Sequence, residues 1–157
     1  MTETVLNNEL QLQYSEWFRV LSEEERSRMK MLEDGQGICL SDPDRHILVS
    51  IGWKQPSRLA LAMLNSRDLA KNAEKQISKA MQSYGYTAKG GRQRQIAGTE
   101  AYGFGYEYTA QGIPMYAESF TMKKKRTVYY FHFYARTGLK DESLAVWNEL
   151  LDGITKK

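Results

Sequence analysis

Hydrophobic and polar positions alternate with period two through much of the second half of the chain. In Ala101–Ala110, Tyr102, Phe104, Tyr106 and Tyr108 alternate with Gly103, Gly105 and Glu107. In Val128–Arg136, Tyr129, Phe131, Phe133 and Ala135 share one face, and Val128, Tyr130, His132 and Tyr134 share the other. Successive side chains of a pleated strand point to opposite sides, so both segments read as strands, with Pro114–Met122 as a third between them. Gln111-Gly112 and Lys123–Arg126 are polar breaks of hairpin length. The last strand is apolar or aromatic on both faces, which predicts a central strand covered on both sides. Helices or a second layer elsewhere in the chain must supply that cover.

The remaining pattern supplies it. Residues 1–8 read as a flexible N-terminus, and a single domain is expected over 9–157. Leu10, Leu12 and Tyr14 alternate as a first strand. Ser22-Glu23-Glu24-Glu25 has capping-box spacing and predicts a short helix ending near Met31. Glu33-Asp34-Gly35-Gln36-Gly37 breaks the chain. Gly37–Leu40 and His46–Lys54 then form a hairpin around Ser41-Asp42-Pro43-Asp44. Residues 55–65 are a connection without an assigned element. From Ser66 to Tyr84, Leu69, Ala70, Ala73, Ile77, Ala80, Met81 and Tyr84 recur at helical spacing, with Ser66 as N-cap and Gly85 as C-cap. Residues 86–97 read as a strand entering the meander. A closing helix from about Asp141 to Ile154 buries Leu144, Trp147, Leu150, Leu151 and Ile154. The order is not a βαβαβ series, so a mostly antiparallel sheet flanked by helices is expected, an α+β fold.

Composition narrows the compartment. The single cysteine, Cys39, excludes an internal disulfide and fits a reducing environment. No stretch approaches the roughly 20 apolar residues of a membrane helix, and the N-terminus lacks a signal-peptide pattern. A cytoplasmic protein without membrane contact is the expectation. Net charge is +3. Its distribution is uneven: residues 1–36 hold eight acids against four bases, and residues 79–126 hold eight bases against three acids. This asymmetry can steer an oppositely charged partner or join the two regions within one fold.

Candidate chemistry changes the picture little. Cys39 could serve a small thiol enzyme with only His46 or His132 to activate it, His46 across the hairpin being the pair considered, but a cysteine in an apolar strand behaves as a small hydrophobe. Asp42, Asp44 and His46 alternate, yet an aspartate-rich turn explains them and no second ligand cluster is present. Lys89-Gly90-Gly91-Arg92 lacks the ending of a phosphate loop, and the glycines of Gly103-Phe104-Gly105 lie inside a strand. No cofactor, metal or catalytic set is therefore expected. Lys123-Lys124-Lys125-Arg126 is the sharpest charge feature, with Arg92 and Arg94 adding to its field. It reads either as a solvated hairpin tip or as a grip on an acidic or phosphate-bearing partner. Tyr130 and Tyr134 join these residues as a candidate partner-binding surface wherever the helices leave them exposed.

The sequence resembles the Mog1/PsbP-like superfamily from about Leu10 to Ile154. The likeness rests on Tyr14-Ser15-Glu16-Trp17-Phe18-Arg19-Val20-Leu21, on the strand Ile47–Trp53 and on the amphipathic helix near 67–84. It continues through Ile96-Ala97-Gly98-Thr99-Glu100-Ala101-Tyr102, the strand Val128–Arg136 and the closing Glu149-Leu150-Leu151-Asp152-Gly153-Ile154. The resemblance implies an α/β/α sandwich. It also implies a binding protein, since relatives include a photosystem subunit, a small-GTPase binder and bacterial chaperones of secreted toxins. It supplies no catalytic residues. The expected function is a non-catalytic adaptor or chaperone-like domain of a bacterial cytoplasm, whose partner is another protein or a second copy of itself. Nucleic-acid or polyanion binding through the basic hairpin is the alternative reading.

Overall fold

The computed structural model describes residues 1–32 and 35–157. The break expected at 33–37 falls partly outside them, at Glu33 and Asp34. In chain order the elements are β1 (Thr2–Leu6), β2 (Leu10–Tyr14), β3 (Arg19–Val20), α1 (Glu23–Arg28), β4 (Gln36–Asp42) and β5 (Ile47–Lys54). They continue with α2 (Arg58–Met63), α3 (Ser66–Ala80), β6 (Thr87–Ile96), β7 (Thr99–Ala110) and β8 (Ile113–Lys124). The chain ends with β9 (Thr127–Arg136), α4 (Lys140–Asp152) and β10 (Thr155–Lys156). Seven strands form one sheet in the order β3-β4-β5-β9-β8-β7-β6, and β1-β2-β10 form a second. Every strand pair among the described residues is antiparallel.

β9 lies at the middle of the large sheet, as its two apolar faces require. Phe133 stacks on Trp147 of α4, with ring centroids 5.2 Å apart. Tyr134, on the opposite face, joins Phe104, Tyr106 and Ala117 beneath Ala73 and Ile77 of α3. Adjacent residues of one strand thus meet helices on opposite sides of the sheet. The small sheet lies on the α4 side, where Leu6, Leu10, Leu12 and Tyr14 enter the same core as Trp147, Leu150 and Leu151. The result is a helix layer, an antiparallel sheet, and a mixed layer of α4 with three short strands.

Local chemistry explains the boundaries. Ser22 Oγ accepts from the Glu25 amide at 3.2 Å, and the Glu25 carboxylate accepts from the Ser22 amide at 3.0 Å, closing the capping box. α1 ends three residues earlier than Met31. α3 is capped by Asn65, whose side chain accepts from Asp68 N at 2.8 Å, and not by Ser66. Ser66 Oγ is instead drawn to the sheet, accepting from Lys123 N at 2.9 Å. α3 stops at Ala80, and a short 3-10 turn over Gln82–Tyr84 leads to Gly85, whose φ of 75° ends it as expected.

Three elements depart from the expectation. Residues 1–8, expected as a flexible end, contain a strand: Thr2–Leu6 pairs along its whole length with Leu10–Tyr14. Asn7 and Asn8, both in the left-handed region (φ 51° and 55°), form the corners of a turn closed by Glu9 N donating to Leu6 O at 3.0 Å, and the pairing of Leu6 with Leu10 leaves Glu9 as an extra residue. Residues 55–65 contain α2, whose Ser57 side chain accepts from Ala60 N at 3.2 Å. The C-terminal Thr155–Lys156 adds an edge strand to β2.

Candidate functional site

The eight residues singled out by sequence do not form one surface. Arg92 leans over Gly105 into the α4 face, where a Cβ on that glycine would sit 2.8 Å from its guanidinium and 2.9 Å from the Tyr116 hydroxyl. There Arg92 donates to Tyr116 Oη at 3.1 Å and to Glu118 at 3.4 Å. Tyr116 donates to the same carboxylate at 2.7 Å, and Trp147 Nε1 donates to its other oxygen at 3.2 Å. Burial, and then Glu118, push the Tyr116 hydroxyl up to about 12, so it remains a donor at neutral pH. This network holds β6, β8 and α4 together. Arg94 bonds Asn148 Oδ1 at 3.1 Å and pairs with Asp152, tying the same edge strand to α4. Both arginines are engaged within the fold.

Lys123 is also engaged. Its Nζ donates to the carbonyls of Leu61 and Leu64, the latter at 3.2 Å. These are orphan acceptors at the C-terminal end of α2, where a cation is favoured. Lys125 and Arg126 are exposed at the hairpin tip, and Lys124 is half-buried. α2, held by Lys123, presents Leu59 and Met63 to solvent at 71% and 72% exposure. These residues lie four apart, so they stand together on one helical face. α2 has Arg58 at its start and no acid in its first turn. An apolar ridge that begins beside Arg58 therefore sits on the helix that Lys123 ties to the basic hairpin.

Tyr130 and Tyr134 belong to a different feature. α3 covers β7 and β8, and the same face over β9, β5 and β4 is left as an open cleft. Direct cross-strand pairing builds its floor in rows: Gly37, Gly52 and Tyr130 form one, and Cys39, Ser50 and His132 form the next. Tyr134 follows His132 by two residues on the same face, with the rings 6.5 Å apart. One wall is Ala73, Gln76 and Ile77 of α3, and the other is Lys30–Leu32 with Gly35 and Gln36. Leu32 sits on the flat spot left by the two paired glycines, where a Cβ on Gly52 would come within 2.7 Å of its side chain. The enclosed volume is about 420 Å³.

The electrostatics of the floor are those of a neutral site. His132 Nδ1 is 3.0 Å from Ser119 Oγ, and burial lowers its pKa to about 4, so the imidazole is uncharged at neutral pH. Burial raises the phenol of Tyr130, and also that of Tyr134, so both keep their protons. Cys39 is fully buried, and burial pushes its thiol up against a smaller opposing effect of the Ser50 hydroxyl. His46 is exposed at the β4–β5 turn with φ 58°, four residues before Ser50, or roughly 13 Å along the strand. The structure therefore does not bring Cys39 and His46 together. Asp42 accepts from the Arg45 amide at 3.2 Å and pairs with its guanidinium at 3.4 Å, which accounts for its turn position. No group of three potential metal ligands occurs among the described residues. No described helix is long and apolar enough to cross a membrane.

Sequence reasoning named two floor residues of the cleft and missed its walls. His132 shares its strand face with Tyr130 and Tyr134 in the sequence pattern, but its neighbours Ser50 and Gln76 carry no sequence signal. Their juxtaposition depends on where α3 stops covering the sheet.

No family model and no curated protein matches the chain. Solved structures do. The cyanobacterial PsbP protein CyanoP from Synechocystis superposes with a TM-score of 0.73 at 10% identity, covering 99% of this chain and 92% of that one. LpqN of Mycobacterium tuberculosis, described as involved in cell envelope biogenesis, gives 0.56 at 16% identity over 94% of this chain and 83% of its own. A Pseudomonas aeruginosa protein of unknown function gives 0.53 at 13% identity over 97% and 94%. At such identities the likeness speaks of architecture alone, and on that ground the chain has the PsbP/Mog1-like fold.

Proposed function

We propose that the chain is a non-catalytic binding domain that docks an acidic, partly apolar segment of another protein at the end formed by α2 and the β8–β9 hairpin. The observation that carries this reading is the ridge of Leu59 and Met63, solvent-facing and fixed to the basic hairpin by Lys123. Large apolar side chains grouped at a surface mark interaction sites, and the flanking cations favour an acidic partner. The separation of Cys39 from His46 supports a non-catalytic role. The fold is shared with proteins whose functions differ, so fold alone does not name the partner.

The test is comparative capture from the native cell, with wild type, Leu59→Glu/Met63→Glu and Lys125→Glu/Arg126→Glu as baits. Both variants are exposed and should fold. The expected result is a specific set of proteins lost from both variants and released by raised salt. A captured set that neither variant changes would remove the proposal. So would loss of nothing but self-association, since the partner would then be a second copy.

A further inference from the structure

The cleft on the α3 face contains neither Leu59 nor Met63 and has its own chemistry, although Lys54 and Tyr130 also border α2. Its floor presents three rings in sequence along the central strand: Tyr130, His132 and Tyr134. Cross-strand neighbours fix the backbone beneath them, and the Ser119 contact fixes the His132 ring, so the surface is preorganised. The volume of about 420 Å³ lies within the range of small-molecule sites. Hydroxyl and imidazole groups make it a poor seat for a purely aliphatic chain. Lys30 and Lys54 stand at its mouth, and neither is ion-paired among the described residues. Two lysines beside a neutral imidazole also make it a poor divalent-cation site, since carboxylate and thiolate donors are lacking among the described lining residues.

We propose that this cleft binds a small planar aromatic carboxylate. The ring lies on the Tyr130–His132–Tyr134 floor, and the carboxylate is held at the mouth by Lys30 and Lys54. Each part of the ligand answers a feature of the site. A flat ring matches a row of aromatic groups, against which it can pack offset-stacked or edge-to-face. An anion matches two cations whose attraction is strengthened next to a low-dielectric floor. The ring nitrogen of His132 not facing Ser119, together with the Tyr130 hydroxyl, can bond polar substituents on the ring.

The test is two-dimensional amide NMR titration of the full chain with naphthoate, its neutral counterpart naphthamide, and cyclohexanecarboxylate. Naphthoate is expected to bind at about millimolar strength or tighter, as befits a ligand of this size. Its shifts should centre on Ser50, Gly52, Tyr130, His132 and Tyr134. Naphthamide and cyclohexanecarboxylate should each bind at least about tenfold more weakly, because each lacks one half of the match. In Lys30→Gln/Lys54→Gln, naphthoate should fall to the naphthamide level while the unliganded spectrum keeps its folded dispersion. Absence of cleft shifts with naphthoate overturns the proposal. Equal binding of naphthamide overturns the anionic part, and equal binding of cyclohexanecarboxylate overturns the aromatic part. None of these outcomes bears on the Leu59–Met63 ridge.

Discussion

His132 carries the clearest pH signature of any residue in the fold. Its folded pKa of about 4 lies below the ordinary value of 6.5 because burial disfavours the charged ring. As pH falls below 6.5 the unfolded chain binds a proton that the folded protein refuses until about pH 4. The stability of the folded state is therefore full above that window and declines through it, by about 3 kcal/mol in total. Denaturant melts of wild type and His132→Gln at a series of pH values should show a shallower decline in the variant over that window. Parallel curves would place the ring in water. The second residue-scale prediction concerns Glu118, which receives bonds from Tyr116, Arg92 and Trp147. Glu118→Ala leaves three donors without their acceptor and should cost about 3 kcal/mol in equilibrium unfolding. Sequence could not show this role, because Arg92 is 26 positions away and its basic neighbours suggested a surface.

At the scale of elements, α2 depends on one side chain from another element. Lys123→Met removes the cation from the Leu61 and Leu64 carbonyls without disturbing β8. Amide exchange over Leu61–Leu64 should accelerate severalfold while the global melt shifts by less than about 1 kcal/mol. An unchanged exchange rate would mean that packing alone holds the helix. α2 escaped the sequence reading for a physical reason. Six residues are too few to show a helical period, and neither Leu59 nor Met63 is buried. The signal that was present is Ser57, a good N-cap directly after Pro56. β1 escaped for a similar reason, since only Leu6 of its five residues is fully buried. Its turn pair Asn7-Asn8 was the available clue. The meander and both long helices were legible because each carries a periodic apolar stripe, fully buried at Trp147, Leu150 and Leu151 of α4 and, in α3, buried at Ala70 and half-buried at Leu69, Ala73 and Ile77.

At the scale of the molecule, the acid-rich N-terminal region and the basic middle do not simply neutralise each other. Arg92, Arg94 and Lys123 are engaged by Glu118, Asp152 and helix carbonyls, and of the Lys123–Arg126 run Lys125 and Arg126 are the exposed part. The architecture was readable from period-two and helical stripes, because they report which faces are covered. The functional surfaces were not, because they arise where cover is incomplete: above β9 and β5 for the cleft, and around an unburied α2 for the ridge. Nor does periodicity distinguish a ring buried under α3 from one that floors a cleft, as Tyr106 and Tyr130 show.

The central claim is that a partner protein covers α2 and the basic hairpin. Hydrogen–deuterium exchange on the protein alone and in its captured complex tests it most directly. The account predicts slowed exchange over Arg58–Leu64 and Lys124–Thr127, with α1 and the small sheet unchanged. Protection confined to any other surface, or none at all in a stable complex, would contradict it.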